Sequence, residues 1–142
     1  MLRPTLIAVS LATLFSLAHT TGPSCAQAPA VPDAVLSDMR ASIVRAIGAQ
    51  DETVKITIER SILTVLRVNS NVNETTHGAR DNEATVIASM VSKAISGKSK
   101  FNNLHTIRVQ YAVRPATNAN SRIIDTIDFR KDPQGVFQLH RT

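Results

Sequence analysis

Between Asp33 and Gly48 the apolar residues Leu36, Met39, Ile43 and Ile47 recur at helical spacing, while Asp38, Arg40 and Arg45 fall largely on the opposite side. This pattern predicts an amphipathic helix with one face to bury. Asp33 is placed to cap its N-terminus, and Gly48 to end it in a left-handed conformation. The period then changes from that of a helix to that of a strand. Val54, Ile56 and Ile58 alternate with Lys55, Thr57 and Glu59, as in a strand with one wet face. Ile62 to Val68 is apolar at nearly every position and predicts a second, more buried strand. The two read as a hairpin closed at Glu59-Arg60-Ser61, a turn with neither Gly nor Asn.

Asn69 to Gly78 is polar and rich in turn formers, which predicts a loop. A second helix is expected from Arg80 to Ser96, with Val86, Ile87, Met90, Val91, Ala94 and Ile95 as its apolar stripe and Gly97 as its stop. Past a basic connection at 97–103, Ile107, Val109, Tyr111 and Val113 alternate with polar neighbours and predict a strand that stops before Pro115. Ala116 to Ser121 predicts a polar loop. Arg122 to Phe129 predicts a strand, Asp132-Pro133-Gln134-Gly135 a turn, and Val136 to Leu139 the strand that completes a hairpin. The order is αββαβββ. It implies an α+β fold, a two-layer sandwich with a mostly antiparallel sheet of about five strands and both helices on one face. Over residues 33–113 the helix, hairpin, helix, strand order resembles that of the BON domains, small domains associated with the bacterial envelope. The resemblance is one of element order. This chain has no glycine in the hairpin turn or just after the second strand, and it adds a C-terminal hairpin.

The N-terminus follows a different rule. Met1 to Arg3 is a short positive start, Thr5 to Ala18 is uncharged and mostly apolar, and His19 to Ala28 is small and polar, which together read as a secretory signal. The apolar run is shorter than the roughly 20 residues that a membrane-spanning helix needs. Cleavage is expected after Ala26 or after Ala28, leaving 29–32 as a short linker and 33–142 as a single domain. Either cut removes Cys25, the only cysteine of the 142 residues, and leaves no thiol for a disulfide, a metal or a nucleophile. The alternative is a lipid anchor on Cys25, preceded by Gly22-Pro23-Ser24. The expected location is therefore periplasmic or secreted.

Composition then narrows the chemistry. The whole chain has 16 Lys and Arg against 11 Asp and Glu, for a net charge of +5, and loss of Arg3 with the signal lowers it by one. The charges are scattered, which implies a mixed solvated surface. Nucleic acid is not an expected partner, because no basic stripe is interleaved with stacking aromatics. A domain of about 115 residues buries enough surface to be stable without disulfides.

His77, His105 and His140 are about thirty residues apart, so the spacing predicts no metal site and no cofactor. Asp125 and Asp128 sit three apart in a strand, on opposite faces and about 10 Å from each other along it, too far to share one substrate atom. Asp125 is expected on the face of Ile123, Ile127 and Phe129, with Arg108 or Arg114 from a neighbouring strand as its partner. No nucleophile elbow, phosphate-cradling loop or dinucleotide fingerprint is present. The Asn73-Glu74-Thr75 acceptor pattern for glycosylation is a three-residue match and carries little weight. These readings favour a non-enzymatic exported module that binds an envelope protein or polymer through its polar loops, with Asn69, Asn71, Asn73, Glu74, His77, Asn118 and Asn120 as contact residues. Two alternatives stand beside it: a small hydrolase pairing His105 or His140 with Asp125 or Asp128, and a small-ligand carrier with a cavity between helices and sheet.

Overall fold

Helix α1 (Ala34–Ile47) starts at its cap. The Asp33 carboxylate accepts the Val35 N–H at 3.0 Å, satisfying a donor that the first helical turn leaves without a partner. The helix ends at Gly48, with φ +61° and its N–H returned to the Val44 carbonyl. The computed structural model describes residues 33–117 and 120–140. The signal segment, the linker at 29–32 and Asn118 therefore lie outside the described residues.

After α1 come β1 (Val54–Glu59), β2 (Ile62–Val68), α2 (His77–Ile95), β3 (Thr106–Val113), β4 (Arg122–Lys131) and β5 (Phe137–His140). This is the αββαβββ order expected from the periodicity. The five strands form one sheet in sequential order. Every pairing is antiparallel except β2 with β3. A parallel pair cannot be closed by a tight turn, and here the crossover is α2. Met39 and Ile43 of α1 and Ile87 and Val91 of α2 pack with Leu63, Val65, Ile107, Val109, Ile127 and Phe129 in a single core. Both helices thus cover one face. On the other face Lys55, Thr57, Glu59, Thr64, Arg108, Gln110, Asp128 and Arg130 meet solvent, as alternation in an antiparallel sheet requires.

The departures from expectation have local causes. α2 starts at His77, three residues before the expected Arg80, because its first turn carries no apolar periodicity. Its inward stripe is Arg80, Ala84, Ile87, Ala88, Val91 and Ile95, whereas Val86 is 46% exposed. β4 runs two residues past Phe129. β5 begins at Phe137 rather than Val136, since the Asp132 turn takes both the Val136 carbonyl and the Val136 N–H. A bulge in β4 sets Asp125 opposite Tyr111 but Ile123 opposite Ala112, leaving Ile124 as the extra residue. Beyond it the faces invert. Ile123 does not share the core face of Asp125, as simple alternation suggests, and is 50% exposed.

Among the described residues two other than glycine have positive φ, Arg60 at +54° and Asn69 at +52°. Arg60 closes the two-residue turn of the β1–β2 hairpin. The Asn69 side chain clamps β3, donating to the Arg114 carbonyl at 3.2 Å and accepting the Arg114 N–H at 2.7 Å. Glycine relieves the backbone strain at either position, but at Asn69 it also removes two hydrogen bonds. Urea unfolding should therefore show Arg60→Gly neutral to stabilising by up to about 1 kcal/mol. Asn69→Gly should lose about 1–2 kcal/mol.

Candidate functional site

The inward stripe of α2 begins with a charge. Arg80 is only 7% exposed, and a buried guanidinium is tolerated only when its donors are met. Its Nε donates to Asp125 Oδ2 at 2.7 Å, and its Nη1 lies 3.1–3.4 Å from the carbonyls of Val72, Asn73 and Thr75. Nη2 lies 3.0 Å from His77 Nδ1. One side chain thus joins the segment between β2 and α2 to β4. Tyr111 adds a further tie by donating its hydroxyl to the Arg80 carbonyl at 3.0 Å. Burial, reinforced by the nearby Glu83 carboxylate, pushes the Tyr111 phenol far above its ordinary range, so it remains a donor at every pH the fold meets.

A second buried arginine lies close by in sequence and space. Arg67, on the helix-facing side of β2 and 3% exposed, donates to Glu83 Oε1 at 3.1 Å, Thr53 Oγ1 at 3.0 Å and Ser70 Oγ at 3.0 Å. These bonds pin α2 to the strand before it.

Asp125 uses both oxygens. Oδ2 meets Arg80 and lies 3.3 Å from His77 Nδ1, while Oδ1 accepts the Thr126 backbone N–H at 2.9 Å. Burial alone would raise the pKa of this carboxyl; Arg80 and the Thr126 N–H outweigh it and hold Asp125 below the ordinary carboxylate value. The partner expected from the sequence, Arg108 or Arg114, is thus replaced by Arg80. Arg108 instead makes a two-bond fork to Asp128 at 2.7 and 2.8 Å. That fork, opposed by partial burial, keeps Asp128 low and raises Arg108.

The two ion pairs stand on opposite faces of β4 and border a single open cleft of about 390 Å³, lined also by His77, Asp81, Thr126 and His140. The cleft wraps the strand edge because β5 is short. β5 pairs only with Asp128 to Lys131, so Arg122 to Ile127 has no strand partner on that side among the described residues. The Lys131 N–H points inward to the His105 carbonyl at 2.9 Å. Alternation along the strand then turns the Thr126 N–H outward, where Asp125 Oδ1 caps it.

The expected contact residues divide. Asn69 and Asn73 hold the end of β3, with Asn73 Nδ2 donating to the Ala112 carbonyl at 3.0 Å and Asn73 Oδ1 buried without a partner. Glycan attachment at Asn73 would require breaking that bond. Asn71 and Glu74 lie in the short 3-10 turn Asn71–Glu74, both exposed, and Asn71 Oδ1 is 3.5 Å from Ser70 Oγ. His77 is the first residue of α2 rather than part of a loop, and its side chain is 77% exposed at the cleft. Asn120 is exposed and apart from the cleft lining. The segment 69–78 is therefore a stitched connection rather than the polar loop expected.

For the hydrolase reading, the fold brings His140 into the cleft with Asp125 and Asp128 but leaves His105 out of its lining. No hydrogen bond among the described residues joins His77, His105 or His140 to a Ser or Thr hydroxyl. For the carrier reading, the space between helices and sheet is filled by buried side chains. Among the described residues no group of three or more His, Cys, Asp and Glu is arranged to hold a metal, and no helix is long and apolar enough to cross a membrane. The arrangement offers a mixed-charge cleft and an exposed strand edge, features suited to recognition.

Arg80 and Thr126 escaped the sequence reading. A signal for Arg80 did exist: four residues back from Ala84, the inward stripe of α2 lands on it. Removing its charge in Arg80→Met strands Asp125 and three carbonyls, and chemical denaturation should show a loss of about 3–5 kcal/mol. Asp125 and Asp128 have folded pKa values below the ordinary carboxylate value. Their contribution to stability is therefore complete above about pH 5 and is lost as pH falls through the depressed folded values. Denaturation midpoints measured from pH 7 down to pH 2 should show that decline, and Asp128→Asn should make it shallower.

Compared with known proteins, the chain matches no family model and no curated protein.

Proposed function

We propose that the chain is an exported, non-enzymatic binding module that takes an extended segment of an envelope protein along the free edge of β4, beside the mixed-charge cleft. The N-terminal pattern of positive start, apolar run and small polar stretch supports export. The observation that carries the binding reading is the mismatch between β4 and β5: ten residues against four. The mismatch leaves six residues of β4 backbone beside a cleft whose charged groups lie on both faces of the strand. A strand that adds there gains backbone hydrogen bonds, and its alternate side chains reach Asp125 and His77 on one face and Arg108 and Asp128 on the other. At Thr126 it exchanges a carboxylate acceptor for a carbonyl.

Export is tested by the mass of the protein recovered outside the cytoplasm, which should begin at Gln27 or Pro29. A mature protein that retains Met1 overturns it. Binding is tested by placing a photo-crosslinking amino acid at Ile123, on the free edge, or at Val86, equally exposed on α2, in the host cell. A discrete adduct should form from position 123 and not from position 86. Thr126→Pro removes an edge donor while sparing the β3–β4 ladder, and it should abolish the adduct with the fold intact by circular dichroism. Equal adducts from both positions, no adduct from 123, or an adduct indifferent to Thr126→Pro overturns the proposal.

A further inference from the structure

The sheet has a second open edge, on β1, and its residues are complementary to themselves. The Ser61 carbonyl accepts from the His105 and Thr106 N–H groups at 2.9 and 3.2 Å, so Ser61 faces β3. By alternation Ile62, Thr64 and Leu66 bond to Glu59, Thr57 and Lys55 of β1. The Val54 N–H is taken by the Asp51 carbonyl, which leaves the backbone groups of Ile56 and Ile58 pointing away from the sheet. No described strand pairs with them. β1 has no proline and no bulge, and no side chain caps an outward donor as Asp125 does on β4.

We propose that two copies of this chain associate by antiparallel pairing of β1 with β1, centred on Thr57, to form one continuous sheet. With Thr57 opposite its counterpart, Lys55 of each copy faces Glu59 of the other on the open side of the sheet. On the helix side Ile56 faces Ile58. Ile56 and Ile58 exchange about four backbone hydrogen bonds across the two-fold axis. The charges commit to this arrangement. Lys55 and Glu59, the two charged residues of β1, are both exposed, and neither forms an ion pair among the described residues. A two-residue slip that sets Ile56 opposite Ile56 places Lys55 against Thr57 and leaves Glu59 unmatched. In-register parallel pairing sets Lys55 against Lys55 and Glu59 against Glu59, which is repulsive.

The apolar side fits as well. Ile58 is 37% exposed in the isolated chain. Beside Ile56, between β1 and α1, runs an open groove of about 460 Å³ lined by Leu36, Ser37, Arg40 and Lys55. Pairing centred on Thr57 brings Ile58 of the second copy next to Ile56, at that groove. A contact of one short strand per copy is small, so association depends on concentration.

Charge exchange on the purified protein tests the proposal. Sedimentation equilibrium should show a reversible dimer. Lys55→Glu or Glu59→Lys, each of which turns two attractive pairs into two repulsive ones, should weaken it about tenfold at low salt. The double variant, and an equimolar mixture of the two single variants, should recover it. Both positions are exposed, so each variant keeps the fold, which circular dichroism checks. A protein that is monomeric at every concentration overturns the proposal, as does a dimer indifferent to the single exchanges or one that the double exchange does not restore. Thr126→Pro should leave the dimer unchanged; its loss in that variant would assign association to β4 and overturn the β1 register.

Discussion

The buried guanidinium of Arg80 is the constraint around which the cleft end of the domain is arranged. A permanently charged group in the interior needs a full set of acceptors, and here they come from three places: the backbone of the turn before α2, the His77 ring and the Asp125 carboxylate. Satisfying one residue therefore fixes the path from β2 into α2, the start of that helix and the face on which β4 presents Asp125. Arg67 repeats the device nearer the centre of the sheet through Glu83, Thr53 and Ser70. The two networks meet at Tyr111, which donates to the Arg80 carbonyl while lying beside Glu83. The apolar core holds the layers together, and these charges set how they are joined at that end.

The same arrangement explains why the two sheet edges differ. On β4 a bulge places Ile124 as an extra residue next to Asp125, and Asp125, held by Arg80, is positioned to cap the Thr126 N–H. A capped and bulged edge resists indiscriminate pairing. It is also the edge beside the cleft, where the proposed partner strand would gain contacts on both faces. β1 has neither device. It instead carries one charge of each sign, two positions on either side of Thr57, a spacing that favours one antiparallel register of a second copy over the alternatives. The proposed partner site and the proposed self-association thus lie on opposite edges of the sheet and would not compete.

Both helices and all five strands were legible in the sequence because each buries an apolar face of regular period; the parallel pairing of β2 with β3 across α2 was not. Asp33 and Gly48 marked the ends of α1 through side-chain and backbone chemistry confined to neighbouring residues. The reading failed where a buried position is occupied by a charge. Arg80 stands in the sequence only as the expected first residue of a helix, and the turn leading to it as a polar loop. Asp125 was matched to arginines on neighbouring strands because strand pairing is the shortest route to a partner that a linear sequence suggests; its partner lies 45 positions away on a helix. The bulge left no trace in the pattern, since one extra residue inside an apolar run does not disturb its composition.

What the sequence by itself determined is the set of elements and the face each must bury, since periodicity and capping act between residues a few positions apart. The charge-bearing spacing of β1 is likewise written in the chain. Only the tertiary structure decided which carboxylate answers which arginine, where β5 stops along β4, and that the Asp125 and Asp128 ion pairs border one cleft from opposite faces. Those outcomes depend on contacts between residues far apart in the chain. A buried charge selects its partner from whatever the packed layers bring within hydrogen-bond reach, and the distances that settle that choice exist only after the helices have closed over the sheet.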